Sequence, residues 1–174
     1  EIAPIDTQNW ANLGEVYQNL LTLVPNSDRL SEEAYLKAAE LRPGDSNYYN
    51  RIGLLYITKY TVLRQLAARA SGANLQQINA DSVASLEKAA ENLKKAIEIT
   101  PNFGAAIYNL GVVYDRQNKL DEAVVALKAI LYPTSQSMSP LGEKTRMQMA
   151  DAAYLALGRI YYEREQFLDS AKAY

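Results

Sequence analysis

The chain has 174 residues, 48% of them hydrophobic and 22% charged, so a folded globular chain is expected and disorder is not. Its net charge of −2 lacks the basic surplus with which nucleic-acid binders neutralise phosphates, so no nucleic-acid partner is expected. No Cys and no His occur, which removes thiolate nucleophiles, imidazole bases, disulfide staples and the usual ligands of structural zinc.

No run approaches the roughly 18 apolar residues of a membrane span, so no membrane contact by this segment is expected. The chain opens at Glu1 without an initiator Met, as expected of a mature form or a piece of a longer protein. A Cys-free chain tolerates reducing and oxidising surroundings alike, so cysteine usage does not fix the compartment.

In chain order, the first helix is expected around Leu13-Gly14-x-x-Tyr17, with Trp10 three residues before the Leu. Its partner follows in "SEEAYLKAAELRPG", where Ser31, Tyr35 and Ala38 form a packing stripe and Pro43 ends the helix. An insertion around Leu23 to Arg29 lengthens the turn between the two. The second pair starts at Ile52-Gly53-x-x-Tyr56 with Tyr49 before it, and closes with Ala89, Leu93, Ala96 and Pro101. Between these halves lies the largest insertion, about 57–85. There "ITKYTVLRQLAARA" reads as continued helix, "SGANLQQINADS" as a loop, and a new helix as starting near Ser82, giving a pair of overlong helices. The third pair holds Leu110-Gly111-x-x-Tyr114 with Ile107, then Ala123, Leu127 and Ile130, and Pro133. The stretch 132–140, "YPTSQSMSP", reads as a polar loop, after which a long helix runs from about Leu141 with Ser139 and Pro140 at its start. That helix carries Leu157-Gly158-x-x-Tyr161 with Tyr154, and the chain ends in "EREQFLDSAKAY".

The short pattern therefore occurs four times, at Gly14, Gly53, Gly111 and Gly158. Positions i, i+3, i+4 and i+7 share one helix face, and Gly lets a paired helix approach where a larger side chain would hold it off. This is the first-helix half of the tetratricopeptide-repeat (TPR) signature, W-x2-L-G-x2-Y, and the chain resembles that family over almost its whole length. The resemblance implies an all-α, right-handed α-solenoid of about four helix pairs. Repeat one covers about 7–44, repeat two about 46–102, repeat three about 104–133, and a truncated repeat four about 141–174. The glycines stand 39, 58 and 47 residues apart against about 34 for the standard repeat, so each interval holds an insertion.

Catalytic signatures such as Gly-rich phosphate loops, G-x-S-x-G or H-E-x-x-H do not occur, and no catalytic residue, metal or cofactor is expected. Glu32–Glu33 and Asp121–Glu122 read as acidic starts of second helices, where carboxylates favour the helix dipole. Tyr17, Tyr49, Tyr56, Tyr114, Tyr154 and Tyr161 read as packing residues of the repeat.

In proteins similar to these, first helices line an inner groove that holds extended peptides. The resemblance then implies groove positions at Ala11, Asn12, Glu15 and Asn19, at Asn50, Arg51 and Leu54, at Tyr108, Asn109, Val112 and Asp115, and at Leu155 and Arg159. Asn12 and Asn109 match a family position whose amide can hydrogen-bond a ligand backbone, and equally read as solvated residues. The basic carboxylate clamp of chaperone-binding members is not expected, because Ala11 and Glu15 stand at its first-repeat positions.

Three readings follow. The chain is a non-catalytic interaction scaffold for a protein or peptide. Alternatively it is an assembly module, stacking head to tail on other copies through an end that includes Phe167, Leu168 and Tyr174. Thirdly, "QNWANLGEVYQNL", "DSNYYNRIGLLY" and "AIYNLGVVYDRQNKLDEAV" resemble TPR tails of bacterial O-antigen ligase or polymerase membrane proteins, which implies an extracytoplasmic bacterial location.

Overall fold

A computed structural model describes residues 6–132 and 140–172, with side chains for 6–132 and 144–165. Its seven described helices are α1 (Thr7–Asn19), α2 (Ser27–Leu41), α3 (Asn47–Ala67), α4 (Gly72–Ile99), α5 (Gly104–Arg116), α6 (Leu120–Leu131) and α7 (Pro140–Lys172). The fold is all-α. The chain divides into two compact units, Glu1–Ile99 and Thr100–Tyr174.

In the first unit Asp6 caps α1, its carboxylate accepting the Gln8 N–H at 3.4 Å. The turn to α2 occupies 20–26 and closes at Asn26, which takes the left-handed conformation that Asn tolerates better than most residues. That turn sits slightly earlier than the expected insertion at Leu23 to Arg29, because α2 already begins at Ser27. Consequently Glu32–Glu33 fall in its second turn, not at its start, and Asp28 is the first-turn acid. Ala11, Ala38, Ala39 and Tyr48 form one buried cluster, with Trp10 and Tyr49 packed against it.

The hairpin α3–α4 is longer than the sequence pattern foretells. Residues 71–82, expected as a loop, are helical from Gly72, and the connection shrinks to 68–71. Leu75, Ile78 and Ser82 recur at helical spacing, and all three are at least partly buried. Polar composition misled the reading; periodicity underneath it did not. Along the inner face of the same hairpin Ile52, Leu55, Leu93 and Ala96 are fully buried.

In the second unit α5 and α6 pair through a turn closed by Asn118 in the left-handed region, with Asp121 and Glu122 in the first turn of α6 as expected. Ala123, Leu127, Ile130, Ala153, Leu157 and Ile160 join α6 to α7 in one core. Gly104 admits the start of α5 against α7, since a Cβ there would overlap the backbone of Arg146. The loop at 132–140 lies outside the described residues apart from its two ends, Tyr132 and Pro140.

The four signature glycines divide three to one. A Cβ on Gly14 would sit 2.7 Å from Tyr35 Cε1, on Gly53 2.6 Å from Leu93 Cδ2, and on Gly111 2.9 Å from Leu127 Cγ. Each is the contact point of a first helix with its own second helix. Gly158 has nothing within 4 Å of that position and is exposed. Gly53→Ala should therefore destabilise the protein by roughly 1–3 kcal/mol, the typical cost of overpacking. Gly158→Ala should instead stabilise it by roughly 0.5–1 kcal/mol, because only the backbone-entropy cost of a helical glycine is removed. Urea denaturation of both variants measures the two signs.

Candidate functional site

The residues expected to line a groove fall on α1 and α3 in the first unit and on α5 and α7 in the second. In the first unit Asn12, Glu15 and Asn19 are exposed on α1, while Ala11 is buried in the core between helices. Asn12 Oδ1 accepts from Gln8 Nε2 at 2.7 Å, one helical turn away. Arg51 reaches from α3 to α1, its guanidinium donating to Glu15 Oε2 at 3.2 Å and lying 6.0 Å from the centre of the Tyr35 ring. Leu54, three residues after Arg51 on α3, is half-buried. Asn50 is buried, its side chain being withdrawn from any groove surface.

Arg51 and Glu15 are both about half exposed. An exposed pair of this kind contributes at most about 1 kcal/mol, so a ligand's charge can replace either partner at small cost. The face is thus a polar surface held in place by tight packing behind it, with a cation and an anion presented side by side.

In the second unit Tyr108, Asn109, Val112 and Asp115 are half-buried on α5. Arg159 of α7 donates to the Asp115 carboxylate and, at 2.8 Å, to Glu163 Oε1. The Asp115 hydrogen bond is the main cause of the upward shift of the Arg159 guanidinium pKa, and it fixes α7 against α5. Leu155 is exposed.

Two features escaped the sequence reading. One is a groove of about 440 Å³ between α1 and α2, walled by Trp10, Leu13, Tyr17, Ala34, Leu36 and Lys37, among others. The other is a polar clasp across three helices. The Tyr56 hydroxyl on α3 donates to Glu32 Oε2 on α2 at 2.7 Å and accepts from Lys88 Nζ on α4 at 2.8 Å. Lys88 also lies 4.8 Å from the Tyr56 ring centre. A neighbouring pair, Lys59 Nζ to Asp28 Oδ2 at 2.6 Å, ties α3 to α2 again. Burial alone would raise the Asp28 pKa, but the hydrogen bond and charge of Lys59, with backbone N–H donors, bring it below the usual value. Spacing could not reveal these contacts, since their members lie 24 to 32 residues apart.

The packing role expected of the repeat tyrosines holds for some and fails for others. Tyr56 is buried, and Tyr17, Tyr49 and Tyr114 are half-buried. Tyr154 and Tyr161 are exposed, because the face of α7 that carries them meets no second helix among the described residues. Phe167, Leu168 and Tyr174, expected to form an assembly end, lie outside the residues whose side chains are described. Among the described residues no group of three or more His, Cys, Asp or Glu is arranged to hold a metal ion. Among them, too, no helix is long and apolar enough to cross a membrane.

Burial pushes the Tyr56 phenol well above its ordinary pKa, and the Glu32 carboxylate that takes its hydrogen bond raises it further. Unfolded Tyr ionises near pH 10, so this contribution to stability is complete below about pH 10 and is lost as pH rises beyond it. Tyr56→Phe should cost about 1 kcal/mol at neutral pH, the usual net worth of one hydrogen bond. It should also flatten the alkaline limb of the stability curve. Denaturation at pH 7 and across pH 9–11 checks both.

Comparison with known families gives two matches. A model described as "TPR repeat" matches residues 85–118, and one described as "Tetratricopeptide repeat" matches residues 105–132. These stretches cover the C-terminal half of α4, the whole of α5 and α6, and the glycine contact at Gly111. Comparison with curated proteins gives no match, and neither family match bears on the likeness to polysaccharide-enzyme tails.

Proposed function

For a chain that carries tetratricopeptide repeats, a family that typically binds protein partners and is typically non-catalytic, we propose the role of a non-catalytic scaffold that captures an extended peptide. The observation that carries this reading is the Glu15–Arg51 pair, which bridges neighbouring first helices yet stays half exposed. Asn12 and Asn19 stand on α1 one turn to either side of Glu15, so a peptide crossing α1 and α3 meets amide groups as well as charge. Asn amides both donate and accept, which suits an extended backbone whose own N–H and C=O groups need partners. Ala11 and Glu15 argue against a clamp for a terminal carboxylate, since the Glu15 charge would repel it. The Glu15–Arg51 pair instead suits a peptide that carries an acidic side chain for Arg51 with a basic neighbour that takes up Glu15. Tyr108, Asn109, Asp115 and Arg159 offer a comparable set on the second unit, with the Arg159–Asp115 pair in the corresponding role.

Self-stacking is a second reading, supported by the apolar groove at Trp10, Leu13 and Tyr17. A groove of this kind is one half of a heterologous, head-to-tail contact. A mass near 19 kDa, unchanged over a hundredfold concentration range, would remove it. The extracytoplasmic polysaccharide-enzyme reading rests on sequence likeness alone, and reading the gene upstream of Glu1 for membrane spans decides it.

The scaffold reading predicts that a random-peptide display library panned on the protein enriches a motif with an internal acidic residue. Arg51→Glu should weaken the winning peptide about tenfold or more, the loss expected when a charged partner is reversed at a contact. Asn12→Ala should weaken it less. A library that enriches nothing, or a peptide indifferent to both changes, would contradict the proposal.

A further inference from the structure

Tyr35 carries a polar atom that the seam at Gly14 does not need. In the second and third pairs the residues that meet the signature glycine are Leu93 and Leu127, both fully buried, as Tyr35 is. An isobutyl group therefore suffices for this packing, and the Tyr35 hydroxyl is surplus to it. The ring presents one edge to Gly14, with Cε1, Cδ1 and Cζ lying 2.7, 2.8 and 2.9 Å from where a Cβ would stand. That pose carries the hydroxyl past the glycine to Gln18, where it donates to Oε1 at 3.2 Å. Gln18 stands four residues after Gly14, and the residue four after Gly53 is Ile57, whose side chain offers no acceptor. Polar tip and polar acceptor occur together in the first pair, and Leu93 with Ile57 in the second.

The same hydroxyl serves Arg51, whose guanidinium carbon lies 6.0 Å from the centre of the Tyr35 ring. Burial alone would lower the Arg51 pKa, but hydrogen bonding to the Tyr35 hydroxyl, and after it to Glu15, turns the shift upward. Because the hydroxyl proton is directed to Gln18, the phenol oxygen can accept from Arg51. The second unit holds its arginine differently. Arg159 is bound by two carboxylates, Asp115 and Glu163, and Leu127 adds no polar atom there. Among the described residues Arg51 has one carboxylate partner, Glu15, and the Tyr35 hydroxyl takes the second place.

From these contacts, and resting on the scaffold reading, we infer that Tyr35 is a positioning residue for the peptide face. With Gln18 it holds the Arg51 guanidinium in place while a ligand draws Glu15 away. A peptide whose basic side chain takes up Glu15 removes the one carboxylate on which Arg51 leans. Left to itself, a long side chain at the surface regains its rotamer freedom and must be ordered again by the ligand's acid, at a cost in affinity. The Tyr35 hydroxyl keeps Arg51 ordered through that exchange. Tyr35 is fully buried, so it acts on the ligand only through Arg51. The residue that closes the α1–α2 seam thereby also sets how strongly the face demands an acidic side chain.

The test begins with NMR of the isotope-labelled full chain, the Arg51 Nε–Hε signal being identified by its loss in Arg51→Lys. In the parent this signal should show the heteronuclear NOE of an ordered side chain. In Tyr35→Phe, and in Tyr35→Leu, which copies the other two seams, it should fall to that of a mobile arginine. Both variants should keep the parent's helical circular dichroism. Tyr35→Phe should also weaken the peptide selected from the display library about three- to tenfold, the scale of one hydrogen bond. It should leave unchanged the weaker binding of the same peptide with its acidic residue replaced by Ala, whereas a general loosening of the fold would weaken both alike. An Arg51 signal indifferent to Tyr35→Phe, or equal weakening of the two peptides, would overturn the inference and leave the scaffold reading standing. A parent that selects no peptide would instead remove the scaffold reading, and this role of Tyr35 with it.

Discussion

Everything in this fold depends on how closely two helices can approach at a glycine. At Gly14, Gly53 and Gly111 the space a Cβ would need is held by a ring or an isobutyl group of the partner helix. Close packing of this kind gains dispersion contacts on both sides and tolerates no added volume. It also fixes rotation: once the glycine faces its partner, the residues three and four away must line the same seam. Trp10 and Tyr17, Tyr49 and Tyr56, and Ile107 and Tyr114 find their places by this rule, whatever the length of the connecting turns.

What the seam leaves over is the functional material. A first helix whose glycine side is buried presents its opposite positions outward, and these carry Asn12, Glu15, Asn19 and Arg51 in the first unit. Their polarity contributes little to stability, so they are available to a partner. The clasp of Glu32, Tyr56 and Lys88 differs. There a buried phenol is satisfied from two helices at once, and loss of either partner would leave a polar group unpaired at the edge of the core. The first set is suited to exchange contacts with a ligand, the second to hold three helices in register.

The repeat was legible in the sequence because its cause is local. Four residues at helical spacing, one of them Gly, specify a face without knowledge of anything distant, and the all-α fold follows from them. Long-range contacts were not legible. In "SGANLQQINADS" the polar residues outweigh the helical spacing of Leu75, Ile78 and Ser82, and only the extended α3 beside them turns that spacing into a sheltered face, so a polar loop was the natural expectation. Nor does Asn50, next to Arg51, declare that it points inward. Tyr154 and Tyr161 show the converse limit. Their spacing is that of core residues, but a residue is core only when a partner arrives, and the pattern records the face rather than its occupancy. Glu32 fits the pattern of a dipole-favouring acid at a helix start but instead serves Tyr56, a difference set by where α2 begins.

The most direct test of the central claim is a double-mutant cycle between Gly53 and Leu93, read by urea denaturation. If close approach at the glycine governs the pairing of α3 with α4, Gly53→Ala destabilises the parent. In the Leu93→Ala background, where the obstructing side chain is gone, the same change should become neutral or stabilising through helix propensity. An equal cost of Gly53→Ala in both backgrounds would contradict the account and assign the glycine's role to something other than the room it leaves for Leu93.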